Sequence, residues 1–292
     1  MAVDEFIVST SKERIRSDFL HLSPPCQPFS PAHTHDSVHD DENKDAFLGS
    51  GVLVDKIRPR IVTLEETFGI KFNEHRQFLQ ALIGHLTHLG YSVRWKVVRL
   101  CTWGCAQDRK RLIIIAAGPG ESLPPFPDAT HSETGGAGRE PFTCFGQAIV
   151  EIPPGDELHN VGAVRHFATL KAPLDASRLI GTITTGAANL YHPSGRRELT
   201  LREYACLQGF PHHHRFRGNM THIRKQIGNA FPPNTVTVLY RHLQQWLLKE
   251  DGFLPSRPEV GRVLVVVDDM DAVTHVEDDL PARRHGAVID LT

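Results

Sequence analysis

FLHLSPPCQPFS, residues 19–30, decides how the rest of the chain is read. Phe19 to Leu22 is a short apolar run with the length and composition of a buried strand, and it runs directly into Ser23-Pro24-Pro25-Cys26. A thiol that follows a strand lies at the carboxyl edge of a sheet, where open α/β folds place their ligands. Two prolines before it fix the backbone and hold the sulfur in one direction. A cysteine alone is more often a small core residue than a nucleophile. The meaning of Cys26 therefore depends on what else reaches that edge.

Working outward, Ile61 to Leu64 reads as a second strand ending at Glu65. A helix is predicted over about 74–89, stopped by Gly90. Val93 to Leu100 and Leu112 to Ala117 read as two further strands, joined as a hairpin around Gly104. Gln107-Asp108-Arg109-Lys110-Arg111 enters the second of these, and strand alternation puts Arg109 and Arg111 on one face. Residues 24–45, rich in His and Asp, read as a long surface loop. Composition changes at Gly118, and weakly patterned sequence continues to Arg178. Order returns with Ile180 to Thr185, then helices near 200–207 and 233–249. After Gly252 the chain is rich in Pro, Asp and Arg, the composition of a disordered tail. The expected division is 1–117, an insert at 118–178, 179–250 and a tail at 251–292.

Bulk properties exclude more than they assert. The 292 residues carry a net charge of -2, so no global basic field marks a nucleic-acid binder, and DNA contact would require a local patch. Five cysteines without regular spacing do not make a disulfide framework. No apolar run is long enough to span a bilayer, so no membrane partner is expected. Cys101 and Cys105 lack a second thiol pair and imply no metal. His212, His213 and His214 read as a solvated turn.

Five segments follow in order: Pro25-Cys26, Glu65, Gln107-x-Arg109-x-Arg111, Arg202-Glu203 with Leu207-Gln208-Gly209-Phe210-Pro211, and Gln226-Ile227-Gly228-Asn229. Together they resemble the motif series of cytosine-5 DNA methyltransferases over roughly residues 18–249. Glu65-Glu66-Thr67, where most members have Glu-Asn-Val, is most similar to the fungal repeat-silencing branch. The resemblance implies a partial Rossmann-like sheet dependent on S-adenosyl-L-methionine, with residues 118–178 as a small target-recognition insert. It implies Cys26 as the nucleophile toward carbon 6 of a flipped cytosine, and Glu65 as the carboxylate on ring nitrogen 3. Arg109 and Arg111 would anchor base and phosphate and favour the thiolate. Pro25 and Asn229, at a helix start, are the expected cofactor-side residues. Gln107, Thr185, Arg196, Arg197 and Arg202 are expected to touch DNA. The implied location is the nucleus.

The family's Gly-rich cofactor loop and acidic strand end should precede the Pro-Cys turn, but only 25 residues do, without such a loop. The expectation is an N-terminally truncated chain or one completed by a partner, with Asp4 or Glu5 as the adenine-side acid. A catalytically inactive DNA-binding silencing factor of the same descent is the alternative. Val263 to Val267 with Asp268 and Asp269, and the terminal Val288 to Thr292, resemble SUMO-interacting segments.

Overall fold

The computed structural model describes residues 3–10, 15, 17–30, 38, 40–184 and 190–255. Thr185, part of the loop at 31–39 and both SUMO-like segments lie outside them. Helix α1 (Val3–Ser9) leads to β1 (Phe19–Leu22), and helix α2 (Asp40–Ile57) precedes β2 (Ile61–Thr67). Helix α3 (Arg76–His88) is followed by β3 (Ser92–Arg99) and β4 (Lys110–Ala117). The strands lie in the order β1-β2-β4-β3, with β1 parallel to β2 and the other two pairings antiparallel.

All seven residues of β2 are buried, as a strand covered on both faces requires. Alternation divides its side chains. Val62 and Leu64 pack with Leu112 and Ile114 against Phe47 and Val54 of α2 and Leu79, Leu82 and Leu86 of α3. Ile61, Ile113 and Ile115 face the other way, with Leu239, Leu243 and Leu247 of the last helix. The result is a three-layer α/β arrangement.

The β3–β4 hairpin turns through a short 3₁₀ segment, Leu100–Trp103, and Gly104. Gly104 has φ 86°, and a Cβ there would lie 2.9 Å from the His131 ring, so the turn requires glycine twice over.

Beyond β4 come β5 (His131–Ser132), β6 (Glu140–Pro141) and helix α4 (Phe145–Ile149). Helices α5 (Leu201–Leu207), α6 (Met220–Asn229) and α7 (Pro233–Glu250) complete the described chain. Residues 1–247 form one unit, so the insert is not separate from the sheet: Phe145 packs with Ala106, Ile180 and Leu207. In the second unit, the end of α7 closes on Gly252, whose N–H donates to the Lys249 carbonyl.

Four expectations change. Residues 40–57, assigned in part to a surface loop, form an 18-residue helix. Residues 180–184, where order was expected to return, carry no helix or strand, and Ile180 makes only an isolated bridge to Gln107. Gln226 to Asn229 closes α6 instead of starting a helix. His214 is packed between Phe210 and Phe216, with ring centroids at 4.7 and 4.6 Å, rather than solvated.

Candidate active site

Parallel pairing of β1 with β2 ends both strands at the same edge, with Leu22 beside Leu64. β4 runs the other way and begins there, with Arg111 opposite Thr67. This topology brings together Ser23, Cys26, Glu65 and Arg111 from three distant stretches. Arg111 Nε lies 2.7 Å from Glu65 Oε1, a largely buried pair. Ser23 Oγ donates to Glu65 Oε2 at 2.9 Å. Both carboxylate oxygens are thus held, and the group is fixed in one orientation. Cys26 precedes a 3₁₀ turn, Gln27–Phe29, whose Phe29 N–H returns to the Cys26 carbonyl at 3.1 Å. Phe29 is fully buried against Phe47 and Phe78, which anchors the turn to the sheet.

The electrostatics reverse one expectation. Arg111 and Arg109 do pull the Cys26 thiol down, but burial, Glu66 and Glu65 push it up, and the net result is about 11. Burial is the largest effect, so the resting Cys26 is a protonated thiol. Glu66 is pushed up to about 8, again chiefly by burial, with Glu65 adding to it. Its Oε1 accepts the Thr67 N–H at 2.6 Å, while Oε2 is buried without a partner. Burial and the neighbouring Arg111 lower Arg109 to about 10. Ser23 and Glu66 were not singled out in the sequence, although each adjoins a flagged segment.

Several residues expected at DNA are committed elsewhere. Gln107 is fully buried. Its Nε2 donates to the Leu207 carbonyl and Gln208 Oε1, and its Oε1 accepts the Ile183 N–H. Arg202 is buried, with Nε on Asp156 at 2.8 Å and both terminal nitrogens on the His214 carbonyl. Arg197 makes a two-pronged pair with Glu203 at 2.8 and 2.7 Å. These three buried side chains hold the C-terminal segments together.

Arg109 is also buried; its Nη1 donates to the Ile183 carbonyl at 2.9 Å, and its Nη2 lies 3.4 Å from the Gly228 carbonyl. It contributes charge near Cys26 while clamping two later segments to β4. Arg196 remains exposed, in a turn built on Gly195. Asn229 is exposed just after the carbonyl that Arg109 holds, and Pro25 is half-buried beside Cys26.

The family model described as C-5 cytosine-specific DNA methylase matches residues 5–141 and 147–245. Over 252 residues the chain is 27% identical to Type II methyltransferase M.NgoFVII of Neisseria gonorrhoeae, covering 75% of this chain and 67% of that protein. It is 25% identical to DNA (cytosine-5)-methyltransferase 1B of Oryza sativa subsp. japonica, covering 78% of this chain but only 22% of the rice protein. Among solved structures, the S. pombe Dnmt2 methyltransferase superposes with a TM-score of 0.56 at 13% identity, covering 87% of this chain and 82% of that one. The Entamoeba histolytica methyltransferase EhMeth gives 0.52 at 15% identity, covering 86% and 81%. These two likenesses establish a shared fold.

Proposed function

Because the chain belongs to the C-5 cytosine-specific DNA methylase family, we propose that its site activates a cytosine rotated out of DNA, with Cys26 as the nucleophile. The observation that carries this reading is the Glu65–Arg111 pair, oriented by Ser23 at the strand edge where the Cys26 turn begins. Carbon 5 of cytosine is too electron-poor to accept a methyl group directly. Addition of the Cys26 thiolate to carbon 6 breaks the 5,6 double bond and leaves its electron pair on an enamine reaching carbon 5. Glu65 faces ring nitrogen 3 and the exocyclic amine, exchanging its Ser23 hydrogen bond for the base, and the proton given up by the thiol is balanced by one delivered through Glu65 to ring nitrogen 3. Loss of the carbon 5 hydrogen as a proton, with elimination of the thiolate, restores the ring and Cys26. A stacked duplex buries carbon 6, so the base must leave the stack first.

The family's methyl donor is S-adenosyl-L-methionine, which would supply an electrophilic methyl group to carbon 5. The described residues do not by themselves fit an adenosyl cradle. Among them β1 is paired along its β2 side alone, and no glycine precedes Gly49. Pro25 and Asn229 are the family-matched positions that would flank the donor. The steps derived above for this chain's own residues are those of ring activation.

Ring activation has a donor-independent readout. DNA carrying tritium at carbon 5 of cytosine should release it to water in the presence of the chain, since the enamine exchanges hydrogen at that carbon. Absence of release both with and without S-adenosyl-L-methionine would overturn the reading.

Arg196 is proposed as a phosphate contact. Arg196→Ala should weaken DNA binding by roughly 3–10-fold at moderate salt and lower the salt-dependence slope by about 1, as loss of one phosphate contact does. Fluorescence anisotropy across a salt series measures both, and an unchanged slope removes Arg196 from the interface.

A further inference from the structure

We propose that Glu66 is a positioning residue for Cys26: a buried second carboxyl that permits the thiolate while it is neutral and suppresses it once ionised. This inference rests on Cys26 being the nucleophile, and it assigns the site an internal control that its chemistry does not otherwise require.

The geometry comes from strand alternation. Glu65 lies across from Ile113, on the face where it meets Arg111 and Ser23. Glu66 lies across from Leu112, on the opposite face, two residues beyond Leu64. Leu22, the register partner of Leu64, belongs to the same apolar cluster, as does Phe29 at the end of the turn that Cys26 starts. The turn therefore folds onto the face that Glu66 occupies, and the Cys26 thiol feels both carboxyl groups. Glu66 is fully buried, and its Oε2 has no hydrogen-bond partner. A carboxylate with a bare oxygen in such a place is costly, whereas the neutral acid is tolerated.

A charge count gives the consequence. Glu65 and Arg111 cancel as an ion pair. Arg109 then supplies one remaining positive charge near the thiol, enough to balance a thiolate. If Glu66 ionises, it cancels that charge first, and a thiolate would add an unbalanced negative charge. Glu66 and Glu65 both raise Cys26, while Arg111 and Arg109 lower it. The groups that act on Glu66 itself are Glu65 and Arg111. The helices on this face turn mainly apolar side chains inward; their titratable residues are the buried Asp40, the half-buried Lys44, Lys56 and Arg76 and otherwise exposed groups, with His75 just before α3 edge-on to Phe29. Since Glu66 titrates near 8, the neutral form prevails at neutral pH and the suppressing form above it.

Iodoacetamide alkylation of the full chain, with Cys26 followed by peptide mass spectrometry, tests this without DNA or methyl donor. Below pH 7, Glu66→Gln and the parent should react at the same rate. Between pH 8 and 10 the variant should pull ahead by roughly 3–10-fold, because only the parent gains a charge beside the thiol. Glu66→Asn, which places the residue most family members carry, should behave like the glutamine variant and serves if glutamine disturbs folding. A variant-to-parent ratio constant from pH 6 to 10 overturns the proposal. Tritium release from cytosine reports on the nucleophile separately, so failure of that reading and failure of this one are distinguishable.

Discussion

Cys26→Ala abolishes covalent capture of DNA carrying 5-fluorocytosine in the presence of S-adenosyl-L-methionine; this is the largest effect expected of any single substitution. Once carbon 5 of the adduct has taken up a methyl group, the fluorine there cannot leave as a cation, so the thiolate cannot be eliminated and the adduct survives denaturing electrophoresis. Alanine removes the only atom able to form that bond, and the expected yield is zero. Cys101, Cys105 and Cys206 are buried, and the half-buried Cys144 stands before helix α4 rather than in the turn after β1. Cys26→Ser is the sharper control. It keeps the shape of the turn, which Phe29 fixes independently of the sulfur, but an alkoxide is scarcely formed at neutral pH. An alanine variant that captures as much DNA as the parent would dismiss Cys26 as nucleophile.

Glu203→Ala should be the most damaging change to stability. Glu203 accepts both prongs of Arg197 and the Thr200 N–H at 2.8 Å, closing a capping box at the start of α5. Its removal leaves a guanidinium buried without its counter-charge, which costs about 3–5 kcal/mol. For a chain of this size that lowers Tm by roughly 6–20 °C in a thermal melt. Burial pushes the Glu203 carboxyl up, but the Arg197 and Thr200 hydrogen bonds outweigh it and hold the group below its ordinary 4.5. The stabilisation is therefore complete above that value and is lost as pH falls through the depressed one. The gap between variant and parent should narrow in melts below about pH 4. A Tm within 2 °C of the parent at pH 7 would show that the pair contributes little.

The four strands of the main sheet were legible in the sequence, chiefly as short apolar runs bounded by Pro, Gly or charge, whereas β5 and β6 in the insert were not; Phe19 to Leu22 and the hairpin around Gly104 stand where expected. Helix α2 was not legible. Its first turn, Asp40-Asp41-Glu42, has the composition of a solvated loop, although acids in that position also favour a helix N-terminus. Phe47, Val54 and Ile57 carried the helical spacing, but Gly49 and Gly51 between them masked it.

The site divided along similar lines. Cys26, Glu65 and Arg111 were legible because strand ends place residues without further information. The roles of Gln107, Arg197 and Arg202 were not, since a donor's partner decides whether it serves DNA or the fold. Asp156 lies 46 residues from Arg202 and Leu207 lies 100 from Gln107, separations over which sequence pattern carries no signal.

The buried clamps also govern when the site can exist. Cys26 is made well before the segments that complete its surroundings: Arg109 finds its Gly228 carbonyl across 119 residues, and Thr63 meets the Tyr240 hydroxyl across 177. At ordinary translation rates the interval between Cys26 and Tyr240 is roughly ten to forty seconds. Throughout that time the sheet face that carries Ile61, Ile113 and Ile115 lacks its α7 cover, and loop closure over such distances is slow in any case. The nascent chain thus passes through a long interval as a sticky half-sheet with an unassembled nucleophile. Its yield in a cell will depend on chaperone supply before it depends on the equilibrium stability of the finished fold.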